Sequence, residues 1–153
     1  SMTETDKLAN AKQSGQACFD NIREMVEALQ EARRAHEYSP EASAEAEGAV
    51  EDAERAIHED ALSVEVRSGW YGPGAGEVQK PCEYRILLCT GGPAVQIVGD
   101  LSEHGEPITA VMQVQDWLLP WTDFYPVIMD GPHSRENAEA TMLAYACCFY
   151  FGE

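Results

Sequence analysis

The stretch EYRILLCTGGPAVQIV, residues 83–98, decides the fold. Glu83 to Thr90 reads as a strand that is apolar on both sides at its end, which predicts a central place in a sheet. Gly91-Gly92 is a tight-turn dipeptide of the hairpin type. Ala94 to Val98 then resumes with Val95 and Ile97 inward and Gln96 outward. Two strands joined by so short a turn must run antiparallel.

The same period extends both ways. Upstream, Leu62, Val64 and Val66 alternate with Ser63, Glu65 and Arg67, giving a strand with one wet face. The loop Gly69–Gly76, which holds Trp70 and Tyr71, cannot continue it. Downstream, Ser102 to Pro107 reverses the chain into a fourth strand, Ile108 to Gln115, with Ala110, Met112 and Val114 opposite Thr109, Gln113 and Gln115. Alternation predicts that Cys82 and Cys89 point to opposite faces. The expectation is a four-stranded antiparallel meander.

Outside the sheet the period becomes helical. Cys18, Ile22, Met25, Leu29 and Ala32 form one stripe, and Ala42, Ala46, Ala49, Ala53 and Ala56 form a second. Ser39 as N-cap and Pro40 in the first turn separate them. Residues 1–62 therefore predict an acidic antiparallel helical hairpin, which a second copy could join to make a homodimer. Ser134 predicts the N-cap of a terminal helix with Ala138, Met142, Tyr145 and Phe149 on one stripe. The hairpin and this helix are the covers available to the sheet's apolar face. The class is α+β: a hairpin over 1–62, then a four-stranded sheet with its C-terminal helix over 63–153, packed as one compact unit.

Charge narrows the partners. Against 27 acidic side chains stand 10 basic ones, a net charge of −17 over 153 residues. Residues 1–62 carry 15 acidic and 6 basic groups and residues 63–153 carry 12 and 4, so acidity pervades both parts. Direct binding to nucleic acid or to an anionic membrane is disfavoured, because both need Lys and Arg. A basic protein partner fits. The second helix supplies Glu41, Glu45, Glu47, Glu51, Asp52, Glu54, Glu59 and Asp60 against Arg55 alone. It largely forgoes the i,i+4 ion pairs that support an ordinary surface helix.

Chemistry-bearing motifs are sparse. The cysteines, Cys18, Cys82, Cys89, Cys147 and Cys148, are odd in number and include a vicinal pair, which argues for reduced thiols. No CxxC, HExxH or calcium-loop spacing is present, and the Gly-rich loop lacks a phosphate-loop ending. No metal or cofactor is therefore expected. An enzyme using Asp116, Asp123 or His104 with a divalent metal is the least favoured reading. Residues 1–16 hold no hydrophobic stretch, and Ser1 ahead of Met2 reads as an expression scar, so a soluble cytoplasmic chain is expected.

The segment QDWLLPWTDFYP, residues 115–126, places Asp116, Trp117, Trp121 and Asp123 together just after a strand. With Trp70 and Tyr71 it is expected to come together at one edge of the sheet. Taken by itself the pattern reads first as a satellite core under long loops, with indole N–H groups bonded to the aspartates. The alternative is a binding surface, since such side chains anchor interfaces. The runs SGWYGPG, EYRILLCTGGPAVQIVGDL, GEPITAVMQVQDWLLPWTDFY and YACCFYFGE resemble a group of small uncharacterised proteins encoded by bacterial viruses and prophages, over about residues 63–153. That resemblance implies a viral accessory protein in a bacterial cytosol and supplies no catalytic residues. Combined with the charge, it gives an expected function: binding and inhibiting a host nucleic-acid-handling defence protein of the anti-CRISPR or anti-restriction type. The expected contacts are Glu45, Glu47, Glu51, Asp52, Glu54, Trp70, Tyr71, Asp116, Trp117, Trp121 and Asp123. A homo-oligomeric assembly protein joined through the hairpin is the alternative.

Overall fold

A computed structural model of the chain describes residues 3–38, 43–75, 80–128 and 133–152. The expected Ser39-Pro40 turn, Glu41, Ala42 and Gly76 lie outside them. The elements in chain order are α1 (Glu4–Tyr38), α2 (Ser43–Asp60), β1 (Ser63–Ser68), β2 (Pro81–Cys89), β3 (Ala94–Asp100), β4 (Val111–Gln115), β5 (Thr122–Phe124) and α3 (Ser134–Ala146).

α1 begins where Thr3 and Asp6 cap each other. The Asp6 N–H donates to Thr3 Oγ1 at 3.1 Å and the Thr3 N–H to Asp6 Oδ2 at 3.3 Å, a capping box in which the acid also meets the helix dipole. At about 1.5 Å per residue its 35 residues span roughly 52 Å. Its buried positions are Ala11, Gly15, Phe19, Ile22, Val26 and Leu29. The expected stripe is thus turned slightly: Ile22 and Leu29 are central, whereas Cys18 and Met25 flank the seam. Gly15 sets this rotation. A Cβ there would meet Val114 Cγ1 at 2.7 Å and Phe124 Cδ2 at 2.8 Å. Glycine costs a helix about 1 kcal/mol relative to alanine, but here it lets the helix touch the sheet.

α2 is likewise rotated from the expected alanine stripe. Ala46, Val50, Ala53 and Ile57 lie toward the interior, and Ala49 and Ala56 are exposed. Val50 and Ile57 carry more apolar area than the alanines they displace, so this rotation buries more.

The sheet has five strands in the order β1-β2-β3-β4-β5, every neighbour antiparallel. The meander is as expected, but the count is not. Thr122–Phe124, beyond the last expected strand, adds a fifth by pairing Met112 with Phe124 and Gln113 with Asp123. The central strand is accordingly β3, not β2. Gly91 and Gly92 do close the β2–β3 turn, at φ of 102° and 94°. A bulge between Leu87 and Cys89 then overrides the simple alternation: Cys89 pairs with Val95 and so joins the core side, where its Sγ lies 3.9 Å from Cys18 Sγ.

One hydrophobic core draws on both halves of the chain. Phe19, Ile22, Val26 and Leu29 of α1 and Ile57 of α2 meet Ile86, Val95, Ile97, Met112 and Val114 of the sheet and Met142 and Tyr145 of α3. Burying each of the larger side chains stabilises the fold by about 1.5–3 kcal/mol. α3 is not capped by Ser134 as expected. His133 stands at the cap position without a side-chain bond, while Ser134 Oγ accepts from the Ile128 N–H at 3.0 Å and donates to the Ile128 carbonyl at 3.2 Å. The serine ties the chain leaving the sheet to the start of the helix.

Gly15 and Gly48 make a contrasting pair. Gly15→Val should lower the unfolding free energy by about 1–3 kcal/mol through overpacking. Gly48→Ala, where nothing lies within 4 Å of the added Cβ, should raise it by up to about 1 kcal/mol. Urea denaturation of both variants checks the pair.

Candidate functional site: the helix-free sheet face and the acidic arm

α1 lies against β3, β4 and α3 on one side of the sheet. The other side carries no helix among the described residues, and two adjoining grooves of about 460 and 560 Å³ run across it. They share Glu65, Arg85 and Gln96. Side chains on this face are fixed by cross-strand pairs. Arg85 Nη2 reaches Glu65 Oε1 at 2.7 Å, and Arg67 grips Glu83. The Arg67 guanidinium holds the Glu83 carboxyl below its ordinary range, chiefly by hydrogen bonding. Between β3 and β5 the Gln96 amide donates to Gln113 Oε1 at 2.8 Å, and the Gln113 amide donates to Asp123 Oδ1 at 2.9 Å. Gln96, 3 % exposed, is polar and buried at the centre of an uncovered face because its neighbours satisfy it.

Trp117, Leu118 and Trp121 line the groove at the β4–β5 end. Trp117 lies over the β2–β3 turn: a Cβ on Gly92 would come within 2.8 Å of Trp117 Cδ1. Leu118 is 99 % exposed with φ of 66°, an unusual conformation for a residue with a branched side chain. Asp116 makes this turn. Buried at 5 % exposure, its Oδ1 accepts from the Trp117 N–H at 2.8 Å, and its carbonyl accepts from the Leu119 N–H at 2.9 Å. The Asn10 amide of α1 approaches Oδ2 at 3.5 Å. Asp116 is therefore a structural group and does not present its carboxylate at the surface. Asp123 stays exposed on the sheet face.

The aromatic residues do not gather at one edge. Trp70 and Tyr71 follow β1, whereas Trp117 and Trp121 follow β4, and the register places these two loops at opposite ends of the sheet. Strand parity could have shown this: in an antiparallel meander, loops after odd and even strands face opposite ways. Trp70 and Trp117 are both exposed, so neither belongs to a satellite core.

Among the described residues between Leu29 of α1 and Ile57 of α2 none is fully buried, so the distal part of both helices projects as an arm. Its carboxylates are partly answered from within. Arg33 reaches Glu54 at 3.5 Å, His36 lies 3.8 Å from Glu47, and Arg55 binds Asp52 at 2.9 Å. Glu45, Glu51 and Glu59 make no ion pair among the described residues. Asp60 has a different role. It accepts from Tyr145 O–H at 2.7 Å and from the Asn21 amide at 3.1 Å, joining all three helices.

Among the described residues, no group of three His, Cys, Asp or Glu side chains could hold a metal ion, and no helix is long and apolar enough to cross a membrane. His104 meets Glu103 at 3.4 Å in an exposed turn. Burial and then the neighbouring Cys89 push the Cys18 thiol up to about 12, and burial also raises Cys147 and Cys148. These thiols hold their protons at neutral pH and lack the thiolate character of a nucleophile. No family model, curated protein or solved structure matches the chain.

Two measurements check these assignments. Asp116→Ala should cost about 1–2 kcal/mol of stability through lost turn bonds, whereas Trp117→Ala and Asp123→Ala should stay within about 1 kcal/mol. The second concerns pH. An unfolded Cys18 thiol titrates near its ordinary 9.0 and the folded one near 12, so stability is complete below 9 and falls as the pH rises above it. Urea titrations between about pH 8.5 and 9.5 should show a shallower decline for Cys18→Ala than for the parent, the part contributed by the buried tyrosines being common to both.

Proposed function

We propose that the chain is a non-enzymatic accessory protein of a bacterial virus. In the host cytoplasm it would bind and inhibit a basic defence protein that handles nucleic acid, of the CRISPR or restriction kind. The observation that carries the proposal is the arm: Glu45, Glu47, Glu51 and Asp52 stand exposed on a helical hairpin that extends past the core. A cleft built for DNA or RNA is lined with Lys and Arg, and a stiff row of carboxylates can occupy it by electrostatic complementarity. Trp117 and Trp121, at the far groove, add contacts that release water on binding. The net charge of −17 favours encounter with such a partner and disfavours competing nucleic acid.

The test is inhibition of nucleic-acid cleavage in vitro by a panel of guide-loaded CRISPR effectors and restriction endonucleases from one bacterial host. The expected result is block of at least one enzyme, weakening steeply between about 50 and about 300 mM salt as charges are screened. The variant Glu45→Lys/Glu47→Lys/Glu51→Lys should lose the block while remaining folded. A panel left fully active, or a triple variant as effective as the parent, overturns the proposal.

A further inference from the structure

Among the described residues β1 is an edge strand, with β2 as its only neighbour in the sheet order. α1 covers β3 and β4, and the core side of β1 lies beyond it. Leu62, Val64 and Val66 are consequently 58 %, 37 % and 44 % exposed, although they share a side with the buried Tyr84 and Ile86. Natural sheets usually guard such an edge with proline, lysine, a bulge or an inward-pointing charge. β1 has no proline, no lysine and no charge on its apolar side, and its one irregularity, a register shift between Arg67 and Ser68, falls at the end of the strand and leaves Ser63 to Arg67 in regular register.

We infer that the free edge of β1 is a self-complementary interface that pairs antiparallel with β1 of a second copy, making one continuous ten-stranded sheet. Register selects this pairing. Side chains alternate with period two, so only shifts of two residues keep valines beside valines. With the two-fold axis at Val66, Val66 faces Val66 of the second copy and Glu65 faces Arg67 of the second copy, twice by symmetry. Moving the axis to Glu65 stacks glutamate on glutamate, and moving it to Arg67 stacks arginine on arginine. An axis at Val64 sets Val64 on Val64 and Leu62 opposite Val66 but leaves Glu65 facing Ser63, so the register centred on Val66 is the one that combines apolar contact with opposite charge. It also extends the ion pairs already present, giving the row Glu83, Arg67, then Glu65 and Arg85 of the second copy, alternating in sign across both sheets. The strand end leading to Trp70 comes alongside the strand start at Leu62 of the second copy. Such cross-strand charge and valine pairs are the usual stabilising unit of a sheet. The interface uses neither the acidic arm nor Trp117 and does not depend on the function proposed above.

The test is charge exchange, read by light scattering on size-fractionated protein. The parent chain should elute at twice the chain mass at micromolar concentration. Glu65→Arg alone places arginine opposite arginine, and Arg67→Glu alone places glutamate opposite glutamate, so each should be monomeric. Mixing the two variants restores both opposite-charge pairs and should return a heterodimer, which mass spectrometry of the intact complex resolves from either parent. Recovery in the mixture also shows that both variants are folded. A monomeric parent, single variants that remain dimeric, or a mixture that stays monomeric overturns the inference.

Discussion

The structure depends on the contact of α1 with the sheet at Gly15. A twisted sheet of five strands has two faces, and this chain has one long helix to cover them. The absence of a side chain at Gly15 brings the α1 backbone against Val114 and Phe124, and Phe19, Ile22, Val26 and Leu29 then join the core as the helix crosses β3 and β4. α3 fills the remaining space beside α1 with Met142 and Tyr145. Everything distinctive about the surface is a consequence. Covering one face leaves the other without a helix among the described residues, covering the middle strands leaves β1 half exposed, and a helix longer than the sheet needs leaves an arm.

Electrostatics divide along the same line. Where carboxylates meet the core they are bound: Asp60 takes hydrogen bonds from Tyr145 and Asn21, and Asp116 shapes the turn after β4. Where they lie on the sheet face they are matched across strands, Glu65 with Arg85 and Glu83 with Arg67. On the arm, Arg33, His36 and Arg55 answer only part of the negative charge. The surplus therefore collects in the part of the molecule farthest from its core. Exposed ion pairs contribute little to stability, so these groups cost the fold little.

How much of this was legible in the sequence depends on the range of the signal. Alternation at Val64–Val66, Val95–Ile97 and Met112–Val114 is local, and the strands, their order and the α+β class followed from it. Helix periodicity identified both arms of the hairpin but not their rotation, which is set by Gly15 against Phe124, residues far apart in the chain. β5 is three residues long inside an aromatic loop, too short for any period to register. The bulge that returns Cys89 to the core is a pairing event and leaves no mark in spacing. Ser134 had the composition of a cap but found a closer acceptor in Ile128. The exposed arm carboxylates were readable from charge alone. The buried role of Asp116 was not, since an aspartate before a tryptophan looks the same in either setting.

The central claim is that α1 and the sheet form one cooperative core while the distal hairpin stands outside it. Native-state hydrogen exchange addresses this directly, because amides that open together share one opening free energy. The amides of residues 15–29 in α1 should exchange with the same opening free energy as those of β3, and residues 32–38 should exchange far faster. Exchange of residues 15–29 well before β3, or protection of the hairpin tip equal to that of β3, would contradict the account.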